Sequence, residues 1–479
     1  MNPKYIVAIE IGSSLIKGAI GAIDKTGTLK VCAVEQRDII DCVRYGCIQN
    51  VEEVRATVAD IVISLESRVN ISPRKVKAVY VSLGGRSFVS YKRDLEISFE
   101  NETAITNEVI DQLLEKARVE IFGDKEIVDV APSEFIVDNM KHNNPIGTYG
   151  HNLKVSLNIV ACRPQIIKNM NRVIEEKLQL QINDYIVRQM AISQLVLTSK
   201  EMQLGCVLVD FGAETTTVSV HKSGVLQSLV TIPLGSRNIT RDLITLGTTE
   251  EHAEKVKCSY VNVKTHESIG VNQGVIDGID DLVVFNYIHC RVVEIVANII
   301  AQVKNSGYKS TDLPGGIVVV GRGAKLNGFN ALLESNGSYK VRSGMVPAKI
   351  QIADNSIQPN DVIDVIAVLY AASQSNQDAI IDCLTELPVS AIENDVVEIS
   401  SKSNDLVENE DEQELINHIN QENENDDDDE DENYYEEEKN KKGNAKKKDV
   451  SKLFTLLKSK LEALVENGLN EDSDDEDDE

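Results

Sequence analysis

Two short turns rich in small residues have the composition of a phosphate-binding site. The first reads G-S-S at residues 12–14 and the second reads G-A-E at residues 212–214, and each lies between two apolar runs. Backbone N–H groups in such a turn point into one concavity, where they can donate to phosphate oxygens. A large side chain there would block the close approach of the backbone. Two such turns facing each other would hold the phosphate tail of a nucleotide from both sides.

Charged residues stand beside both turns. Glu10 and Asp210 end the apolar runs that enter them. Carboxylates in that position could hold magnesium, usually through water, because this ion keeps several of its waters. Lys17 could add a positive charge next to the phosphates. No nearby residue is placed as a general base, so the sequence does not predict fast turnover.

The two turns belong to segments that repeat one plan. Residues 5–36 contain the runs YIVAIE, LIKGAIG and LKVCAVE, and residues 206–232 contain CVLVD, TTTVSV and VLQSLVTI. Short apolar runs separated by turn residues predict an antiparallel meander. Glu10 aligns with Asp210 at an offset of 200 residues, and this internal repeat predicts two similar domains in tandem.

An alternation of helix and strand follows each meander. VEEVRATVADIVISLES has the periodicity of an amphipathic helix and precedes the strand VKAVYVSLGG; in the second half, RVVEIVANIIAQVKNSG precedes GIVVVGRGAKLNG. This order predicts an α/β fold in which helices cover the faces of a sheet. Between about Ser87 and Arg163 the pattern changes to strand, helix and strands, which predicts a small α+β insertion.

The negative charge of the chain is concentrated near its C-terminal end. The formal net charge is −28 over 479 residues, and residues 404–479 hold 29 acidic and 9 basic side chains, or −20 of that total. The segment also contains few apolar residues, and their burial could not offset the loss of conformational entropy on folding. We therefore predict that this segment is disordered. The remainder is mildly acidic, and an acidic surface disfavours binding to nucleic acid.

Several other kinds of site are disfavoured. The eight cysteines are scattered without C-x-x-C pairs, so they are expected to be buried free thiols. The seven histidines lack the spacing of zinc ligands, so a zinc site is not predicted. The first residues, MNPKYIVAIEIGSS, indicate a strand and not a signal peptide. No window holds about 18 uninterrupted apolar residues, so no membrane-spanning helix is predicted.

The motifs resemble a known superfamily. E-I-G-S-S-L-I-K, V-D-F-G-A-E-T-T and V-V-V-G-R-G-A resemble the two phosphate loops and the adenosine loop of the actin superfamily. The segments I-P-L-G-S-R-N-I-T-R-D-L and E-H-A-E-K-V-K, the glutamate at position 10 and the insertion resemble the FtsA family of bacterial cell-division proteins more than actin, heat-shock chaperones or sugar kinases. Over roughly residues 5–375 the resemblance implies an actin-like (ribonuclease H-like) two-domain ATPase fold, each half a mixed sheet with flanking helices, with an FtsA-type α+β insertion in the first half.

The resemblance implies a binding site for ATP and Mg²⁺. Asp210 is the best magnesium candidate, with Glu10 as its counterpart. Ala213 stands where the family usually has glycine, and Arg322 interrupts the glycine run of the adenosine loop. The first phosphate loop would comprise Gly12, Ser13, Ser14 and Lys17, and the second would comprise Asp210, Gly212, Ala213, Glu214, Thr215 and Thr216. The ribose and base would lie near Glu254 and Lys257, and the adenosine would be lined by Gly321, Arg322 and Gly323.

The resemblance also implies how the chain divides into domains. Family members bind the FtsZ C-terminal tail on subdomain 2B and other division proteins on subdomain 1C. The implied segments are 1–83 and 164–204 (actin-like domain 1), 84–163 (inserted subdomain 1C), 205–235 and 307–390 (domain 2), 236–306 (inserted subdomain 2B), 391–449 (disordered acidic linker), 450–466 (amphipathic helix) and 467–479 (acidic tail).

One basic amphipathic segment interrupts the acidic end of the chain. An apolar stripe with lysines at its edges suits a helix that lies in an anionic membrane surface. A helix that docks in a partner's groove or forms a coiled coil is the alternative. FtsA proteins end in a membrane-targeting helix, and this resemblance favours membrane binding over docking on a partner. In this chain, however, eight acidic residues follow the segment. At 100° per residue, the apolar face is Val450, Leu453, Phe454, Leu457, Leu461, Leu464 and Val465, flanked by Lys458 and Lys460.

Two classes of function are compatible with these features. The resemblance implies an ATP-binding structural protein, with weak ATPase activity at most, that self-associates. It would anchor the FtsZ ring to the cytoplasmic face of the inner membrane at the division septum and recruit later division proteins. The alternative is another actin-superfamily ATPase, either a small-molecule kinase or a pilus-assembly actin homologue. No second aspartate placed for a kinase's substrate hydroxyl is apparent in the sequence.

Overall fold

The computed structural model describes residues 4–24, 27–118, 124–142, 144–259, 262–265, 275–276, 278–354, 356–374 and 381–386. These residues belong to one compact unit, Met1–Glu386. The predicted linker at 391–449, amphipathic helix at 450–466 and acidic tail at 467–479 lie outside the described residues and stay predictions.

Most strands of the described chain are short and apolar. Numbered β1 to β21, they are Lys4–Ile11, Leu15–Ile23, Leu29–Asp38, Val43–Arg44, Cys47–Ile48, Arg74–Val76, Ala78–Leu83, Val89–Ala104, Glu126–Val137, Met140–His142, Tyr149–Cys162, Gln181–Val187, Cys206–Phe211, Thr216–Lys222, Val225–Ile232, Val275–Ile276, Ile279–Asp280, Ile317–Val320, Val341–Ser343, Gln351–Ile352 and Leu384–Glu386.

The α-helices of the described chain, numbered α1 to α10, alternate with these strands. They are Val51–Val69, Asn107–Arg118, Pro164–Asn171, Arg188–Val196, Ser199–Leu204, Ser236–Ile244, Glu250–Ser259, Asp281–Asn305, Phe329–Gly337 and Ile363–Ser373.

The strand order confirms the internal repeat. The first sheet contains the order β3-β2-β1-β7-β12, and the second contains β15-β14-β13-β18-β19. In each half a meander is extended by strands parallel to its first strand, β7 beside β1 and β18 beside β13. The register is also repeated, because Glu10 pairs with Lys17 across the first hairpin and Asp210 with Thr217 across the second. The predicted actin-like α/β fold is therefore confirmed.

Helices pack on both sheets. In the first half α1 packs on β2 and β3, while α10 packs on β1 and β2. In the second sheet β13 is buried on both faces. Its Leu208 belongs to the core shared with the first half, and its Val207 and Val209 belong to the core of the second half. Burial on both faces explains why this strand is a continuous apolar run without polar alternation.

The predicted α+β insertion is present and joins the second sheet. It consists of β8 to β11 with α2 packed on β9. Ile105, Leu113 and Leu153 are among the residues of its own small core. Its strand β8 lies beside β15, with Val89 opposite Val230, so one nine-stranded sheet runs through both. The sequence did not predict this connection.

One described helix, Asp281–Asn305, is long and apolar enough to cross a membrane by length and composition alone. Within the described unit it packs against α6, α9 and β14. Val284, Ile288 and Val292 are among its side chains buried in the core of the second half.

Candidate functional site

A cleft lies between the two hairpin turns that the sequence singled out. Each turn is closed by the same bond: the Gly12 amide donates to the Leu15 carbonyl and the Gly212 amide to the Thr215 carbonyl, both at 2.9 Å. The empty space of the cleft, including the part that is open to solvent, is about 680 Å³. The two turns thus face one space, as the phosphate-binding hypothesis requires.

Most of the predicted site residues line this cleft. Residues that the sequence did not single out also line it, chiefly Arg188 and Asp364 with Gly46, Ser82, Gly84 and Gly85. The predicted residues in the lining are Glu10, Gly12, Ser13, Ser14, Lys17, Asp210, Gly212, Ala213, Glu214, Thr215, Gly321 and Arg322.

Four predicted residues are not part of the lining. The Thr216 hydroxyl is buried and donates to the Leu234 carbonyl at 2.8 Å. Gly323 packs on the ring of Phe211, where a Cβ would come within 2.7 Å of a ring carbon. The other two are Glu254 and Lys257.

Glu254 and Lys257 form a polar network between α6 and α7. Lys257 Nζ is buried and donates to Glu254 Oε2 at 2.6 Å and to Thr240 Oγ1 at 3.0 Å. The Thr240 hydroxyl in turn donates to Glu254 Oε2 at 2.6 Å. Burial raises the pKa of Glu254, but the ion pair with Lys257 and the hydrogen bonds outweigh it, so the pKa is lowered. The network holds the two helices together beside the cleft.

Lys17 lies in the cleft and pairs with a carboxylate from the last helix. Its Nζ donates to Asp364 Oδ2 at 2.5 Å and to the Asp361 carbonyl at 3.2 Å. Asp364 lies in the first turn of α10, 347 residues away in the chain. No local motif in the sequence points to this partner.

Arg188 bridges the two carboxylates that were predicted to hold magnesium. Its Nη1 donates to Glu10 Oε1 at 2.9 Å, and its Nη2 lies 2.7 Å from Asp210 Oδ2. Burial lowers the pKa of Arg188, but the charges of Asp210, Glu10 and Asp364 outweigh it and raise the pKa. For Glu10, burial and repulsion from Asp364 raise the pKa to about 7, against the opposing effects of Arg188 and Lys17.

This arrangement does not fit a magnesium ion between the two carboxylates. Mg²⁺ needs oxygen ligands in near-octahedral geometry at about 2.0–2.1 Å. The guanidinium of Arg188 stands in that place, and its positive charge would repel a second cation. Asp210 Oδ2 accepts no hydrogen bond of good geometry, but the ion pair with Arg188 Nη2 covers it. Among the described residues, no group of three or more His, Cys, Asp or Glu gathers to hold a metal.

The carboxylate of Glu214 connects the two halves of the protein. It is buried, and its Oε2 accepts from the Tyr45 amide at 2.6 Å. Its Oε1 accepts from Arg241 on α6 at 2.7 Å. The side chain therefore has protein partners at both oxygens, although the residue lines the cleft.

Gly321 begins the predicted adenosine loop, and replacing it with alanine should be strongly destabilising. Its φ is +90°, and a Cβ would lie 2.4 Å from the Phe211 carbonyl oxygen and 2.8 Å from Asp210 Oδ1. Left-handed backbone and steric overlap together should lower the free energy of unfolding by about 2–4 kcal/mol in urea titrations of the full chain.

Gly247 provides a matched control for this substitution. Its φ is +93°, but a Cβ at this position would have no atom within 4 Å. Gly247→Ala should therefore show only the backbone cost of about 1 kcal/mol. Equal losses for the two variants would contradict the close packing of the loop on β13.

Comparison with known proteins places these features in a family. A family model described as "SHS2 domain inserted in FTSA" matches residues 85–161, and one described as "Cell division protein FtsA" matches residues 207–360. The cell division protein FtsA of Porphyromonas gingivalis is 30% identical over 406 residues, covering 82% of this chain and 83% of that protein. The FtsA protein of Bacillus subtilis is 28% identical over 360 residues, covering 71% and 78%.

A solved structure with the same fold is more distant in sequence. The PilM–PilN type IV pilus biogenesis complex aligns with a TM-score of 0.55 at 13% identity, covering 76% of this chain and 98% of that chain. At this identity the likeness shows the fold alone.

Proposed function

This chain belongs to the FtsA family of cell-division proteins, and from that premise we propose that it binds ATP and anchors the FtsZ ring to the membrane. The proposal that the chain binds ATP rests on the cleft between two equivalent turns. Each turn is closed by an equivalent hydrogen bond, one donated by the Gly12 amide and one by the Gly212 amide. Backbone amides on both sides would hold the phosphates. Gly321 and Arg322 would line the adenosine, with Glu254 and Lys257 toward the ribose and base.

The chain would act as a structural protein, with weak ATP hydrolysis at most. A general base must have a carboxylate or imidazole available to take a proton from water. The carboxylates lining the cleft are paired with cations: Glu10 and Asp210 with Arg188, Asp364 with Lys17 and Glu214 with Arg241.

The C-terminal tail of FtsZ would dock on residues 236–306. Mostly apolar side chains from α6, α7 and the start of α8 line a shallow cavity there that is open to solvent. Beside it, Leu282 and Val283 are exposed apolar residues at the start of α8. An apolar groove between helices suits a short peptide segment. The residues around the cavity are Leu243, Leu246, Thr248, His252, Ala253, Val256, Ile279 and Val284.

The remaining contacts would organise the division machinery. The insertion at 84–163 would bind later division proteins, and among its described residues Met140 and Tyr149 are exposed apolar side chains. The chain would self-associate into a filament or ring. Its amphipathic segment at 450–466 would bind anionic lipid, which would place the protein as a peripheral component on the cytoplasmic face of the inner membrane at the septum. No nucleic acid partner is proposed.

Recruitment of FtsZ to vesicles tests this function. With anionic vesicles and ATP, FtsZ should sediment only when the full chain is present. Leu246→Ala, beside the apolar cavity, should reduce FtsZ sedimentation without changing how much of the chain sediments. Leu204→Ala removes an exposed leucine on α5 and serves as the control, with no expected change. FtsZ that sediments equally without the chain, or a chain that fails to bring it down, would refute the proposal.

A further inference from the structure

Arg188 is fixed between the two halves of the cleft. It begins α4 immediately after β12 ends at Val187, and its guanidinium contacts Glu10 at the end of β1 and Asp210 at the end of β13. A Cβ on Gly84 would lie 3.6 Å from its Cζ, and one on Gly212 would lie 4.0 Å from its Nη2. The positive charge thus lies at the ends of both hairpins, beside the second turn.

The chemistry of arginine suits a permanent cation in this place. A guanidinium keeps its charge and carries five N–H donors in a planar fork that matches carboxylate and phosphate oxygens. The contacts to Glu10 and Asp210 leave some of these donors available. Its side chain is 16% exposed and forms part of the cleft lining, so a phosphate in the cleft can accept hydrogen bonds from it.

The carboxylates also resist exchange of this arginine for a metal ion. Glu10 and Asp210 are nearly inaccessible to solvent, and a buried charge that loses its partner is strongly destabilising. Magnesium would have to displace Arg188 from both of them and would leave the arginine charge unpaired. Lys17 remains engaged with Asp364, so it cannot take over both carboxylates.

We propose that the guanidinium of Arg188 takes the place of the divalent cation in this cleft, so that the chain binds ATP phosphates without magnesium. The inference rests on the proposed nucleotide site and concerns which cation that site uses. Arg188 would neutralise the two carboxylates and would donate to the phosphate tail directly. The chain would therefore bind metal-free ATP with the same affinity as the magnesium complex of ATP.

The test is a calorimetric titration of the full chain with ATP, performed once in magnesium chloride and once in EDTA. ATP and not the metal is titrated, because the 29 acidic residues of 404–479 can bind divalent cations themselves. We expect dissociation constants that agree within about threefold, less than RT ln 10 in free energy. Binding that requires magnesium overturns this inference and leaves the nucleotide site standing. Absence of binding in both buffers overturns the nucleotide site and this inference with it.

Substitutions of Arg188 identify the residue responsible. Arg188→Gln should weaken ATP binding in EDTA about tenfold or more, as expected for the loss of charge-assisted hydrogen bonds, and magnesium should restore part of it. Arg188→Lys keeps the charge and should still bind without magnesium. If Arg188→Gln fails to fold, the double variant with Glu10→Gln removes one of the unpaired carboxylates and is compared in the same two buffers. Unchanged binding of a folded glutamine variant in EDTA contradicts the inference.

Arg291 provides a matched control. It also pairs with two carboxylates, Asp242 at 2.6 Å and Glu294 at 2.5 Å, and it is not part of the cleft lining. Arg291→Gln should leave the dissociation constant for ATP equal to that of the unmodified chain in both buffers. A magnesium requirement in this variant as well would mean that general destabilisation, and not the loss of the cation in the cleft, causes the effect.

Discussion

Deletion of residues 450–466 should release the full chain from anionic vesicles in co-sedimentation assays. As the predicted helix, the segment would have an apolar face that includes Leu453, Phe454 and Leu457, with Lys458 and Lys460 at its edges. Burial of five to seven such side chains gives several kcal/mol at about 25 cal/mol per Å², so vesicle binding should fall at least about tenfold. ATP binding by the deletion variant should be unchanged, because the cleft is formed by residues before 386.

Two single substitutions separate the apolar face from general charge effects. Leu457→Asp and Ser459→Asp each add one negative charge to the same segment, but only the first interrupts the apolar face. The first should abolish most vesicle binding, and the second should have a small effect. Neutralising Asp474 to Glu479 should strengthen binding, because these acids repel anionic lipid. Undiminished membrane binding by the deletion variant would rule out this segment as the anchor.

Replacement of Glu214 with alanine should lower the free energy of unfolding by about 1–3 kcal/mol. Its carboxylate accepts from the Tyr45 amide in the first half and from Arg241 on α6 in the second. Removal leaves the partly buried Tyr45 amide without an acceptor and removes the ion pair of Arg241. Urea titration should show the lower free energy of unfolding. Because the bonds link the two halves, the urea midpoint should shift for spectroscopic probes placed in either half.

Glu214→Gln and Glu251→Ala complete the comparison. The glutamine keeps an acceptor for Tyr45 and should fall between the unmodified chain and the alanine variant. Glu251 forms an exposed ion pair with Lys255 on α7, and surface pairs of this kind contribute little, so its removal should leave the midpoint unchanged. An alanine variant at position 214 as stable as the unmodified chain would show that this carboxylate does not connect the halves.

The sequence by itself determined the features that depend on local pattern. Runs of apolar residues between small turn residues specify hairpins, because strands alternate with a period of two and the turns limit their length. Both meanders and the α+β insertion were predicted from such local patterns. The amphipathic periodicity of residues 51–67 predicted helix α1, which the structure extends to Val69. The repeat at an offset of 200 also related the turn at 12–14 to the turn at 212–214, and in the structure both turns line one cleft.

Only the tertiary structure decided what those residues contact. Arg188 pairs with Glu10 across 178 positions of the chain and Lys17 with Asp364 across 347, and no local periodicity encodes such pairs. The same holds for Glu214, whose carboxylate meets Tyr45 across 169 positions. An ion pair depends on where the fold places two side chains and on how far burial removes water from them. For that reason the sequence predicted carboxylates at the ends of β1 and β13 but not the arginine between them.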